Sequence, residues 1–319
     1  MLGDVGVGVV AARYAESMKI GLHVPVFAWP GGPDALADHL ANVARAAEQA
    51  GFGQITVMDH YFALAPDDGY KLPMLEAYTA LGYIAGVTST IRLGVQVTGV
   101  TYRYPGFLLK QVSTLNVLSK GRAFLGIGAA WFEKEHHALG MPFPPLKERF
   151  ERLEETLQLA HQAFKGDTRP FHGTYYQLEE PLLSPMPVTK PRPMIQVGGS
   201  GERKTLRLVA QYADACHVNA PDPQAMRHKL DVLREHCQRL GRDESEIEHI
   251  GGYRPTIALD GSNVNEVIAG IAAIGEVGFD MVTMALPDVY NLKAIELFGE
   301  RVIPEVARIN ARPRPVGVR

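Results

Sequence analysis

Lys19-Ile-Gly-Leu-His-Val-Pro-Val26, then Pro33-Asp-Ala-Leu-Ala-Asp-His-Leu-Ala-Asn-Val43 running on to Gly51, then Gln54-Ile-Thr-Val-Met58: the reading of this stretch decides the fold. Its first and last segments are short and rich in β-branched and aliphatic residues, and read as strands. Between them Leu36, Leu40, Val43, Ala47 and Ala50 recur at spacings of three and four, one face of a 3.6-residue period. Pro33 and Asp34 mark the start of that helix and Gly51 its stop. The polar pair Asp59-His60 follows the second strand directly.

Outward from this unit the same order repeats. A helix near 75–88 leads to a strand at 91–98, and a helix near 105–119 to a strand at 122–128. Helix 147–164 gathers Phe150, Leu153, Leu157, Ala160 and Phe164 on one face and leaves a charged face to solvent. Strand 193–198, helix 202–212, strand 214–219 and helix 223–240 follow, the last with a stripe of Met226, Leu230, Leu233, Cys237 and Leu240. Strand 250–259, helix 263–275, strand 279–286 and a closing helix at 291–308 complete the order. About eight βα units predict an α/β fold, a (β/α)8 TIM barrel. An open doubly wound sheet shares the alternation, and the count is what disfavours it. Segment 166–192, with Pro170, Phe171, Tyr175, Tyr176, Pro181, Pro185 and Pro187, is too irregular for a helix. It reads as an irregular insertion before the fifth strand, with room for a short hairpin.

At 319 residues, with 46% hydrophobic and 21% charged residues, the chain has ordinary globular composition and a length that one barrel can fill. Residues 18–319 are expected to be a single domain. Met18-Lys19-Ile20-Gly21 reads like the natural opening of the first strand, so residues 1–17 are expected to be a disordered or non-native extension. The apolar opening Met1–Ala12 carries Asp4 and no basic segment, which makes it a poor signal peptide. A net charge of −3 gives no electrostatic footprint for nucleic acid or an anionic membrane. No apolar run approaches the roughly 20 residues of a membrane span. Two cysteines, Cys216 and Cys237, suggest neither a disulfide framework nor a thiolate zinc site, and a cytoplasmic location is the default.

In such a barrel, chemistry sits at the carboxyl ends of the strands. After the second strand, His60 could serve as acid, base or hydrogen-bond donor, with Asp59 holding a polar edge; a solvent-facing loop histidine is the bland alternative. After the fourth comes Gly126-Ile-Gly128-Ala129-Ala-Trp131-Phe132, where small residues would admit a flat ring and Trp131 would wall it, or simply pack in the mouth. After the fifth, Gly198-Gly199-Ser200-Gly201 entering a helix is a candidate phosphate cradle or a plain tight turn. It has neither P-loop nor dinucleotide spacing. His136 and His137 are adjacent and without a third ligand nearby, so no metal site is expected. Phe27 and Trp29, together with the insertion, suggest an apolar-to-aromatic substrate pocket.

Taken in order, Met58-Asp-His60, Leu93-Gly-Val-Gln-Val-Thr-Gly-Val-Thr-Tyr-Arg-Tyr-Pro105, Gly121-Arg-Ala-Phe-Leu-Gly-Ile-Gly-Ala-Ala-Trp131, Glu135-His-His-Ala-Leu-Gly140 and Gln196-Val-Gly-Gly-Ser-Gly201 resemble the luciferase-like monooxygenase family. Within it they look most like the branch that uses coenzyme F-420, an 8-hydroxy-5-deazaflavin. The resemblance implies hydride transfer to or from a small organic substrate, with His60 catalytic. It implies that Asp59 and His60 meet the ring, that Gln96-Val97 forms a bulged non-prolyl cis peptide behind it, and that Gln96, Val97 and Gly99 are cofactor-binding. Gly126, Gly128, Ala129 and Trp131 would line the ring or its ribityl path, and Gly198, Gly199, Ser200 and Gly201 would hold phosphate. A homodimer is implied as well. Phe132 stands where many relatives carry Asn, and Ala129 where sugar-phosphate dehydrogenases place an acid, which argues against that substrate. The alternatives are an FMN-dependent monooxygenase, which alone would need a partner flavin reductase, and a non-catalytic flavin- or deazaflavin-binding protein.

Overall fold

A computed structural model describes residues 17–64 and 70–309. The expectation for residues 1–17 falls, apart from Ser17, outside the described residues. The strands are β1 (Lys19–Val24), β2 (Gln54–Val57), β3 (Arg92–Val95), β4 (Thr98–Gly99), β5 (Ala123–Gly128), β6 (Phe171–His172), β7 (Gln177–Leu178), β8 (Ile195–Gly198), β9 (Ala215–Val218), β10 (Glu248–Gly252) and β11 (Met281–Met284). All but β6 and β7 join one parallel sheet, and pairing of β3 with β5 closes it into a barrel. The helices are α1 (Leu36–Ala50), α2 (Ala77–Val87), α3 (Pro105–Leu118), α4 (Glu133–Ala138), α5 (Leu146–Ala163), α6 (Thr205–Tyr212), α7 (Pro223–Leu240), α8 (Val264–Glu276), α9 (Lys293–Leu297) and α10 (Ile303–Val306). The barrel is the (β/α)8 architecture the alternation predicts, and the insertion before β8 carries an antiparallel β6–β7 hairpin.

Local chemistry explains the boundaries. Asp222 caps α7 by accepting from Ala225 N at 2.8 Å, and the Glu76 side chain caps α2 through Tyr78 N and Thr79 N. Three expectations shift. Strand 250–259 ends at Gly252, with Pro255 unable to continue the ladder. The helix expected at 202 begins only at Thr205. The closing helix is broken into α9, a π turn at Phe298–Val302 and α10, where Pro304 offers no N–H to the preceding turn.

The main apolar core lies between strands and helices, not inside the barrel. Leu22, Val24, Ile55, Val57, Leu93, Val95, Leu125, Ile127 and Val197 face outward and pack with Leu40, Leu81, Leu108, Leu157 and Leu230 of the helices. The alternate residues point inward, because paired neighbours in adjacent strands share a face. Gln54 lies opposite Gly21 and Arg92, Thr56 opposite His23, Gln196 opposite Gly126 and Ala215, and His217 opposite Gly198. Near the amino-terminal end Arg92 plugs the interior by bonding Glu248 at 2.8 Å and Gln54 at 2.9 Å. Polar lining continues toward the carboxyl ends with His23, Thr56, His217 and Thr283.

Candidate active site

At the end of β3 the chain steps out of the ladder. Gln96 N donates to Val57 O at 3.0 Å, the Gln96–Val97 peptide bond is cis as the resemblance implies, and pairing resumes in β4 against β5. Three glycines make room for this step. A Cβ on Gly126 would lie 2.0 Å from the Val95 carbonyl oxygen, and Cβ atoms on Gly128 and Gly198 would lie 2.9 and 2.7 Å from Val97 methyls. Gly126, expected to border the ring path, is therefore the seat on which the β3 backbone rests. Gly99 donates its N–H to Asp59 at 3.2 Å, and the Tyr102 ring fills the space beside it.

Beneath the bulge lies a layer of buried polar groups. The Gln96 amide nitrogen sits 3.1 Å from His217 Nε2 and donates to Thr283 Oγ1 at 3.0 Å, while His23 Nδ1 lies 2.9 Å from Thr56 Oγ1. Burial, and then the Arg254 guanidinium, push His23 down to about 4. Burial, with His23 and Arg254, pushes His217 down to about 3. Both imidazoles are neutral near pH 7 and can both donate and accept. Gln96 Oε1 and both amide atoms of Gln196, one layer deeper, are buried with no hydrogen-bond partner among the described residues.

Asp59 and His60 leave β2 in different directions. Asp59 is 3% exposed and is gripped bidentately by Arg103, at 2.7 and 2.9 Å. Arg103 also donates to Glu76 at 2.6 Å and lies over the Tyr78 ring at 4.9 Å. Burial pushes the Asp59 carboxyl up to about 6 against the pull of Arg103. Both its oxygens are engaged, so Asp59 braces the strand end. His60 points to Glu135, a fully buried residue of α4, with Nδ1 2.8 Å from Oε1. Glu135 Oε2 accepts from Tyr61 N at 2.9 Å and Phe62 N at 3.2 Å, and the Tyr102 hydroxyl donates to Oε1. Burial opposes its ionisation, yet the bonds from His60, Tyr102 and Tyr61 outweigh it and hold the carboxyl below its ordinary value. Trp131 and Phe132 meet the His60 ring edge-on at 5.5 and 5.7 Å.

The Gly198–Gly201 turn occupies the next strand end. Gly199 has φ 125°, a region that L side chains avoid, and its N–H donates to His217 O at 3.0 Å. Ser200 Oγ donates to Asn219 O at 2.6 Å and accepts from Asn219 N at 3.1 Å. Residues 202–204 form a turn before α6. The helix terminus is thus set back from Gly201, contrary to the expected direct entry.

His60, Trp131, the Gln96–Val97 bulge and the glycine turn all lie at the carboxyl ends of strands, as the sequence reading requires. Glu135, Tyr102, Arg103, His23, His217 and Gln196 had been given no role. Polar residues at alternate positions in apolar strands were the signal for the last three. Phe27 and Trp29 are 0% and 8% exposed and pack together in the core at 5.5 Å. A groove of about 620 Å³ lies elsewhere, lined by Tyr61, Tyr102, Tyr104, Phe107, Met141 and Tyr176 among others. His136 and His137 diverge. His136 is buried between Thr101 Oγ1 at 2.6 Å and Phe132 O at 2.8 Å, whereas His137 is exposed. Among the described residues no group of three or more His, Cys, Asp or Glu is arranged to hold a metal ion. No described helix is long and apolar enough to cross a membrane.

A parallel barrel with a polar lining, a bulged third strand and a histidine at the second strand end has the architecture of a luciferase-like barrel. The profile of the luciferase-like monooxygenase family matches residues 18–289, and the chain belongs to that family. It is 32% identical over 220 residues to an F-420-dependent glucose-6-phosphate dehydrogenase of Nakamurella multipartita, covering 68% of this chain and 62% of that one. This chain therefore spans less than two thirds of that relative's length. Among solved structures it is similar to an F-420-dependent secondary alcohol dehydrogenase in complex with an F-420–acetone adduct, with TM-score 0.78, 20% identity and coverage of 91% and 99%. It is also similar to the oxygenating constituent of 3,6-diketocamphane monooxygenase of Pseudomonas putida in complex with FMN, with TM-score 0.73, 16% identity and coverage of 93% and 100%.

Proposed function

We propose that this chain is an oxidoreductase that binds coenzyme F-420 at the barrel mouth and serves hydride transfer to or from a small organic substrate. The observation that carries the reading is the polar layer at the bulge, where the Gln96 amide meets neutral His217 and Thr283 and its Oε1 is left without a partner. A buried acceptor left unpaired is costly, and a donor on a planar ligand's edge would satisfy it. The relative of Nakamurella multipartita, named as F-420-dependent, supports the choice of cofactor. Val97, seated on Gly128 and Gly198, would back the ring, with Ala129 and Trp131 beside it. The Gly198–Gly201 turn would hold phosphate through backbone N–H groups other than that of Gly199, which the His217 carbonyl holds. His60 would hold or pass a proton at Nε2, the nitrogen not bonded to Glu135. When bound, the deazaflavin supplies the hydride chemistry, and the protein supplies orientation and electrostatics.

FMN has a ring of the same kind and also a phosphate, so the same residues suit it. Titration of the protein with F-420 and with FMN, each followed by turnover on alcohols, quinones and activated alkenes, tests the choice. Turnover with F-420 alone supports the reading, and oxygen consumption with FMN alone overturns it. His60→Ala should lower turnover by roughly 10²–10⁴-fold with a smaller effect on cofactor affinity. A homodimer is also proposed. Tyr104 and Phe107, 81% and 61% exposed, line the groove beside α3 and are the surface offered to a second copy. Sedimentation of Phe107→Glu, expected to be monomeric, tests it.

A further inference from the structure

We infer that Glu135 is a positioning residue that fixes the tautomer of His60, holding its proton on Nδ1 and leaving Nε2 as the acceptor at the site. The inference rests on the reading of His60 as the functional residue, but its geometry stands without any cofactor. Glu135 is 0% exposed and receives four contacts: His60 Nδ1 at 2.8 Å, Tyr61 N at 2.9 Å, Phe62 N at 3.2 Å and the Tyr102 hydroxyl. Two of these are backbone N–H groups, which only donate. An ionised carboxylate has no proton to give, so the imidazole nitrogen facing it must be the donor. A neutral imidazole carries one N–H, and with that proton on Nδ1 the other nitrogen accepts.

The rest of the surroundings fix the ring. Trp131 and Phe132 stand edge-on to it at interplanar angles of 72° and 73°, and the bonds to Tyr61 N and Phe62 N tie the residues following His60 to the same carboxylate. One side chain on α4 thus sets the proton position, the ring orientation and the path of the loop. His136, the next residue along α4, is turned away and is held by Thr101 and the Phe132 carbonyl, so it does not compete for His60.

Glu135→Gln gives a specific outcome. The Tyr61 and Phe62 N–H groups still require an acceptor, so the amide oxygen must face them. Its NH₂ then faces His60 Nδ1 and the Tyr102 oxygen, which forces the imidazole proton to Nε2. The change is read by long-range ¹⁵N–¹H correlation on histidine-labelled full-length protein at a pH where His60 is neutral, with its signals assigned by their loss in His60→Gln. The wild-type protein should show His60 protonated at Nδ1, and Glu135→Gln should show it at Nε2. With a turnover assay in place, kcat of the variant should fall by roughly 10²-fold with KM little changed. A wild-type His60 protonated at Nε2 overturns the inference even if the variant does not fold. An unchanged tautomer in a folded Glu135→Gln protein also overturns it and leaves Glu135 a structural brace only. The tautomer is read in the cofactor-free protein, so a protein that proves not to use F-420 leaves this result standing.

Discussion

Replacing Arg103 by Met would remove the positive end of a buried ion pair, together with the guanidinium that lies over the Tyr78 ring. Side-chain exposure is 6% for Arg103 and 2% for Asp59, so water cannot take the place of the guanidinium. Breaking such a pair from one side typically costs about 3–5 kcal/mol. For a barrel of this size, at ~2 °C per kcal/mol, the melting temperature should fall by about 6–10 °C. Burial already pushes Asp59 up to about 6 with Arg103 present. Without Arg103, folded Asp59 binds its proton more tightly still than in the unfolded chain. A raised folded value gives stability that is full below the unfolded pKa and is lost as pH rises through the folded one. The deficit of Arg103→Met should therefore be small at about pH 5 and full at about pH 8. Urea unfolding at both pH values measures it, and the double variant with Asp59→Asn should recover much of the loss at the higher pH. A deficit under about 1 kcal/mol, or one independent of pH, would refute the reasoning.

Gly199→Val should abolish tight cofactor binding in a folded protein, because φ at that position is 125° and the methyls would crowd the turn; unchanged affinity in a titration removes the cradle assignment. Alanine at Gly126 and at Gly82 should act in opposite senses. The first puts a Cβ 2.0 Å from a backbone oxygen and should cost at least about 2 kcal/mol. The second adds a methyl in open space on α2 and should gain about 0.5–1 kcal/mol, so two changes of the same sign by calorimetry count against the packing reading. His23 and His217 titrate in the fold near 4 and 3, below the ordinary 6.5. Depressed folded values mean stability that is intact above 6.5 and lost as pH falls toward them. His217→Asn should flatten the melting temperature against pH in that window, and an unaltered slope contradicts the burial argument.

Local signals were enough for the elements and their order. The Leu36–Ala50 period, Gly51 and the run of β-branched strands act over a few residues, and a chain read one turn at a time displays them. They were not enough for α4, whose six residues are too few to show a period, nor for the π turn before Pro304. Barrel closure depends on β3 meeting β5, and alternation is the same whether or not that pairing forms. At the site, the residues themselves marked His60 and the glycine turn, because each is a local feature next to a strand end, and the family resemblance implied the Gln96–Val97 bulge. Sequence could not place Glu135 on His60, since 75 residues separate them and only the packing of α4 across the mouth brings the two together. Asp59 and His60 are adjacent in sequence, yet strand geometry sends them to opposite partners, one to Arg103 and one to Glu135. Sequence thus marked His60 through its place after a strand, and tertiary structure decided its partner, because a contact across 75 residues leaves no local trace.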